Sequence, residues 1–226
     1  MILVIDKSRD AAQNLSDMLH YLGILSLGTT PKEALGEIRH TYRAIILSSP
    51  STLPDGRDYL TRLRRYATGI PVFAVGECED ALSPLVDLYC PLGCGATGIV
   101  NKIQAYCEER ALPVPGRYTL AGIDVSRERR APEYLGTPLP FTKTECMILR
   151  ALISSYPVPI SSERILELSY RQHRRPEVSN VRTHISVMNK KFATIFGRSL
   201  IRPTFGEGYS ILTPEVMEQA KNPVYK

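Results

Sequence analysis

Between Pro176 and Leu212 the chain carries an apolar repeat, Val181, Ile185, Met188 and Phe192 at i, i+4, i+7 and i+11, followed by a stretch punctuated by Gly206 and Gly208. That spacing places four apolar side chains on one stripe of a helix, which must be buried against a core. The opposite face then carries Ser179, Thr183, Ser186 and Lys190, flanked by Asn180, Arg182, His184, Val187, Asn189 and Lys191. Most of these side chains are cationic or hydrogen-bonding, the kind that reaches phosphates and base edges in a major groove. An ordinary solvated helix face has the same look, so the neighbouring segments decide between the two readings.

Upstream, Thr142 is placed to cap a helix and Glu145, three residues on, to close a capping box, with Phe141 and Cys146 as a staple. Met147, Leu149, Leu152 and Ile153 continue that helix until Pro157 and Pro159 stop it. A second helix starts at Ser161 and buries Ile165, Leu166 and Leu168; a basic loop containing Arg171, Arg174 and Arg175 precedes the third. Three such helices form a helix-turn-helix core, and Ser199 to Leu212 adds a two-stranded wing turning at Gly206-Glu207-Gly208. Short segments at Tyr118 to Leu120, Ile123 to Val125, Glu133 to Leu135 and Pro138 to Phe141 read as a small antiparallel sheet ahead of the helices.

Phe141 to Leu212 resembles the winged-helix effector domain of OmpR/PhoB-type response regulators, in the segments FTKTE, ISSERILEL, NVRTHISVMNKKF and LIRPTFGEGYSI. The resemblance implies a partner, double-stranded DNA, met by the third helix and the wing. Arg182, Thr183, Ser186, Val187 and Lys190 are expected nearest base edges. Asn180, His184, Asn189, Lys191, Arg174 and Arg175 are expected on phosphates, with Arg202 acting from the wing. The sequence also departs from the family pattern. Arg182 stands where an aspartate is usual, Val187 and Asn189 where arginines are usual, and Phe205 where the wing commonly carries an arginine. Fewer cations mean weaker phosphate attraction unless Arg171, Arg174, Arg175 and Arg182 compensate.

The first half alternates apolar runs with helical patterns. Strands are expected at Ile2 to Ile5, Leu25 to Leu27, Ala44 to Leu47, Pro71 to Val75, and Ile99 and Val100. Helices are expected between them: one capped by Ser8 with Leu15, Met18, Leu19 and Leu22 on one face, one opening at Thr30-Pro31, then Asp58 to Tyr66, Ala81 to Tyr89 and Lys102 to Arg110. Unbroken apolar strands with intervening helices mean a parallel sheet covered on both faces, and a functional crevice at the strands' carboxyl ends. The fold class read from the whole chain is therefore an α/β flavodoxin-like domain followed by a winged helix-turn-helix domain with a small leading antiparallel sheet.

Met1 to Lys102 resembles a response-regulator receiver domain, through ILVID, LSSPSTLPDG and GATGIVNK. Matched residue by residue, Asp6 and Lys102 remain from the phosphorylation machinery. Lys7 takes the second acidic position, Ser48 that of the phospho-accepting aspartate, Gly76 that of the switch hydroxyl, Ile99 that of the switch aromatic and Ile103 that of a proline. An acyl phosphate needs a carboxylate nucleophile and a divalent cation held by clustered oxygens. With Ser48 and Lys7 in place neither is supplied, and Lys7 and Lys102 are expected to offset the charge of Asp6 as a cation would. The domain is thus read as independent of phosphorylation.

Charge separates the halves. Met1 to Asn101 has 9 Lys and Arg against 11 Asp and Glu, while Lys102 to Lys226 has 19 against 12. The basic half is the half with the DNA-reading pattern. No segment approaches the roughly 18 unbroken apolar residues of a membrane helix, so no membrane association and a cytoplasmic location are expected. Five cysteines without nearby histidines read as packed thiols, with no metal or cofactor. The expected organisation is 1–112 receiver-like, 113–117 a proline-bearing linker, 118–213 winged helix and 214–226 a tail. The reading is a transcriptional regulator, not an enzyme, acting as a homodimer through the receiver-like domain, with RNA polymerase a further partner. Two other classes stay open: a winged helix turned to protein interaction, and a metabolite sensor using the crevice of Asp6, Lys7, Ser48, Gly76 and Lys102.

Overall fold

The structure, a computed structural model, describes residues 1–38, 42–53, 55–77, 80–126, 131–169 and 178–213. The expected contacts Arg174 and Arg175 and the tail from Pro214 onward lie outside the described residues. The chain divides into two compact units between Gly116 and Arg117.

In the first unit, β1 (Ile2–Ile5), β2 (Ser26–Thr29), β3 (Ala44–Ser48), β4 (Val72–Val75) and β5 (Leu88–Cys90) form one parallel sheet in the order β2-β1-β3-β4-β5. This is flavodoxin-like topology. Strands β1 and β4 are buried along their whole length, as continuous apolar runs require when both faces of a sheet are covered. The helices are α1 (Arg9–Tyr21), α2 (Pro31–Glu37), α3 (Gly56–Tyr66) and α4 (Gly95–Glu109). Val114 packs into this unit's core, and its carbonyl accepts from the Arg43 guanidinium at 3.2 Å; Gln104 donates to the Pro115 carbonyl at 3.0 Å. Residues of the expected linker are therefore tied to the first unit.

Ser8 caps α1 as expected, but the buried face is Ala12, Ser16 and Leu19, while Met18 is half exposed. The reason is a close approach. A Cβ on Gly28 of β2 would lie 2.7 Å from the Ala12 backbone, so helix and strand meet through small residues. The hydroxyls of Ser16 and Ser26 satisfy each other at 2.9 Å beneath that contact.

Two expected elements are corrected. Ala81 to Tyr89 is not a helix: among the described residues it holds a 3₁₀ turn at Ser83–Leu85 and then β5. Pro84 sits in the first positions of that turn, where a missing N–H is harmless, whereas a longer helix would meet its ring further in. Ile99 and Val100 are not a strand. They share the buried side of α4 with Ile103 and Cys107, a helical spacing. The fifth strand is instead the three-residue run closed by Pro91. Between β4 and β5 the described residues of this unit, the one expected to mediate dimerisation, thus hold no α-helix.

The second unit opens with an antiparallel sheet of two-residue strands, β6 (Thr119–Leu120), β7 (Ile123–Asp124), β8 (Glu133–Tyr134) and β9 (Thr137–Pro138). Then follow α5 (Lys143–Ser155), α6 (Ser162–Ser169), α7 (Val178–Phe196) and the wing, β10 (Ile201–Thr204) paired with β11 (Gly208–Ile211). Val181, Ile185, Met188 and Phe192 are all buried, as their spacing requires. Aromatic edges join α7 to the preceding segments, Tyr134 on Phe196 at 4.6 Å and Phe141 on Phe192 at 5.0 Å between ring centroids.

Gly28→Ala is expected to cost about 1–3 kcal/mol, because its methyl can be placed only by moving backbone. Gly36→Ala in α2, where an added Cβ meets nothing within 4 Å, is expected to stabilise by up to about 1 kcal/mol. Urea unfolding of the two variants should move the midpoint in opposite directions; a shared direction would refute the close-approach argument.

Candidate nucleic-acid interface and strand-end crevice

The capping box at the start of α5 is complete. The Thr142 hydroxyl accepts from the Glu145 N–H at 3.3 Å, and the Glu145 carboxylate accepts from the Thr142 N–H at 2.6 Å. That carboxylate is buried and also takes a 2.6 Å ion pair from Lys191 of α7, whose ammonium lies 5.5 Å from the centre of the Phe141 ring. Burial works to raise the Glu145 pKa, but the hydrogen bonds from Lys191 and Thr142 and the Lys191 charge outweigh it and hold the carboxyl below its ordinary value. Lys191, expected on a phosphate, here clamps α7 to α5.

Asn189, also expected on a phosphate, is engaged within the domain as well. Its amide donates to the Ile201 carbonyl at 2.8 Å and its carbonyl accepts from the Ile201 N–H at 3.0 Å, so both ends are spent holding β10 against α7. On the other side of the wing, Tyr209 and Ile160 exchange backbone hydrogen bonds at 2.8 and 2.9 Å. Gly208, at φ +115°, makes this possible, because a Cβ there would lie 2.1 Å from the Ile160 carbonyl oxygen.

With the helix and wing so fixed, Asn180, Arg182, Thr183, Ser186, Val187 and Lys190 are exposed on α7, while His184 is half-buried. Arg182, Ser186 and Lys190 form one wall of an open groove of about 530 Å³, and Ser199, Pro203 and Tyr209 form the other. Strand alternation puts Arg202 and its partner Ser210 on the ribbon face opposite Pro203 and Tyr209, and Arg202 is exposed there. The groove offers two cations and several hydroxyls along an open channel, chemistry suited to a polyanionic backbone.

In the first unit the strand ends bring Asp6, Ser48 and Gly76 to one edge of the sheet. Asp6 is buried, and its carboxylate accepts from the Ser8 N–H at 2.8 Å; Lys7 is exposed. Lys102 stands on α4 and not at a strand end. It is exposed on α4, seven residues in, roughly 10 Å along the axis from the helix start. Among the described residues Asp6 has no ion-pair partner. The carboxyl end of β5 is instead Cys90, fully buried, whose N–H-side neighbour in the sheet, Gly76, donates to the Cys90 carbonyl at 3.0 Å. Burial pushes the Cys90 thiol up, opposed by the Lys102 charge. Among the described residues no three His, Cys, Asp or Glu side chains are grouped to hold a metal ion.

Residues 136–211 match the family described as transcriptional regulatory protein, C terminal. This segment is an OmpR/PhoB-type DNA-binding domain. No curated protein matches the chain significantly in sequence. Similar solved structures include a protein described as one of a novel family of redox sensors in the streptococci that evolved from two-component response regulators, at 20% identity over 94% of this chain and 98% of that one, TM-score 0.39. The response regulator DrrB of Thermotoga maritima, an OmpR/PhoB homologue, is 18% identical over 93% and 98%, TM-score 0.40. The DNA-binding domain of the response regulator AdeR, in complex with an intercistronic region, is 16% identical over 43% of this chain and 99% of that one, TM-score 0.38. Likeness at this level carries no functional weight.

In the OmpR/PhoB-type domain, the groove wall formed by Ser199, Pro203 and Tyr209 has no signature in the sequence, since it depends on how the wing folds back. The Leu88-Tyr89-Cys90-Pro91 run did carry a signal for Cys90, an apolar triplet ended by proline.

Lys191→Ala should strand a buried carboxylate and destabilise the second unit by on the order of 2–3 kcal/mol. Because the folded-state pKa of Glu145 is lowered, its contribution is full above the ordinary value of 4.5 and is lost as pH falls through the lowered one. Thermal unfolding of wild type and Glu145→Gln should therefore differ most near neutrality and converge in acid; a constant gap at all pH values would contradict the assignment.

Proposed function

We propose that this protein is a transcriptional regulator that binds double-stranded DNA sequence-specifically and does so without phosphorylation of its first domain. The observation that carries the reading is the exposed face of α7 meeting the wing across a groove that is open, cationic and hydroxyl-lined. In this reading α7 lies in the major groove, with Arg182, Thr183, Ser186, Val187 and Lys190 nearest base edges and Asn180 and His184 nearer phosphates. Arg202 meets backbone from the outer side of the wing. Self-association through β5 and α4 belongs to the same reading, and a homodimer engages two half-sites about one helical turn apart.

Independence from phosphorylation is supported by the strand-end chemistry. Ser48 ends β3 where a nucleophilic carboxylate would be needed, and Asp6 is the one carboxylate at the end of β1. A divalent cation there would find too few oxygen ligands to offset its hydration.

Selection from a random DNA pool by the full-length protein should enrich one motif, unchanged by acetyl phosphate. A folded protein that enriches nothing would favour the protein-interaction reading, and a motif that appears only after acetyl phosphate would overturn phosphorylation independence. Arg182→Ala should change preference at particular base pairs. Arg202→Ala should weaken binding to all sequences and flatten the salt dependence by about one unit; equal losses on every sequence for both would count against these roles.

A further inference from the structure

The wing turn carries the most exposed apolar side chain in the described chain. Phe205 is fully exposed, at 103% of its reference area, and sits between Thr204, the last residue of β10, and Gly206. Among the described residues nothing in the packing of the second unit uses this ring. The hairpin beneath it is nonetheless held on both edges, by Asn189 on Ile201 and by Ile160 on Tyr209, and the turn is closed by the Glu207 N–H donating to the Thr204 carbonyl at 3.1 Å. A phenyl ring is thus presented to solvent at the end of a braced ribbon, where large apolar side chains are otherwise buried.

We propose that Phe205 is a DNA wedge: it enters the minor groove beside the major-groove site of α7 and partly unstacks one base step, bending the duplex. This rests on the reading of α7 and the wing as the DNA interface. The ribbon that carries Phe205 also supplies Pro203 and Tyr209 to the groove shared with Arg182, Ser186 and Lys190, so the tip belongs to the element that lines the proposed DNA site. The tip cannot act by charge. Phe205 has none, and Glu207 beside it is an exposed carboxylate that phosphates repel. What remains is insertion, the use that architectural proteins make of apolar side chains in the minor groove. Phe205 is then a specificity determinant without a hydrogen bond to any base, because the unstacking cost depends on sequence and is least at pyrimidine–purine steps.

The test uses full-length protein and a short duplex that it selects from a random pool, labelled at its ends for energy transfer and carrying 2-aminopurine at successive positions. Wild type should draw the ends together and brighten 2-aminopurine at one step. Phe205→Ala, which leaves the fold untouched at so exposed a position, should bind about tenfold more weakly, with the same salt dependence and without bend or brightening. Phe205→Leu should recover part of the bend. Phe205→Arg should steepen the salt dependence by about one unit and leave the step stacked. A bend and brightening that survive in Phe205→Ala would overturn the wedge and point to a protein or lipid contact for the ring. A wild-type protein that selects no duplex would overturn the underlying reading, and the wedge with it, before any variant is made.

Discussion

The carboxylate of Glu145 lies almost wholly out of water, yet the Thr142 backbone and the Lys191 ammonium converge on it. A buried carboxylate without such partners would cost several kcal/mol or take up a proton. With them it fixes the start of α5 to the second half of α7. The apolar stripe of Val181, Ile185, Met188 and Phe192 sets how deep α7 lies, but a stripe alone permits sliding and rolling. The ion pair and the two-ended bond of Asn189 to Ile201 remove that freedom, so the face bearing Arg182, Ser186 and Lys190 has one orientation toward the wing. Presenting a rigid, preoriented surface spares the ordering cost that a mobile one would meet on binding.

The second unit was legible where local chemistry and burial agree. The capping box at Thr142 and Glu145, the stripe of α7 and the glycines of the wing each follow from a short-range rule, and each is found in place. The fates of Asn189 and Lys191 were not legible. A helical wheel gives the angle at which a side chain leaves the helix, and both sit on its flanks, where a long or amide side chain turns either outward or back to the body. Which way they turn depends on Glu145 and Ile201, residues remote in sequence whose positions no periodicity reports.

In the first unit the alternation points to a parallel sheet, but its last third reads differently in the structure for a definite reason. Ile99 and Val100 are two apolar residues, too few to distinguish a strand from the inner side of a helix, and the helical partners Ile103 and Cys107 break the tie only when taken together. Pro84 and Pro91 bracket the actual strand. Misplacing it carried Lys102 to a strand end it does not occupy and concealed Cys90, which does. The strand-end edge thus carries Asp6, Ser48, Gly76 and a buried thiol.

The bridge between Tyr209 and Ile160 has a mechanical consequence. It makes the wing part of a wider backbone lattice anchored at the junction of α5 and α6, instead of a loose finger, and Gly208 is the residue whose bareness permits that joint. Load applied at the tip is carried into two helices and a core. Duplex DNA, by contrast, yields at its softer steps for a few kcal/mol. When a braced lever and a compliant rod are pressed together, the rod takes up the deformation, so in the proposed complex the protein would set the shape.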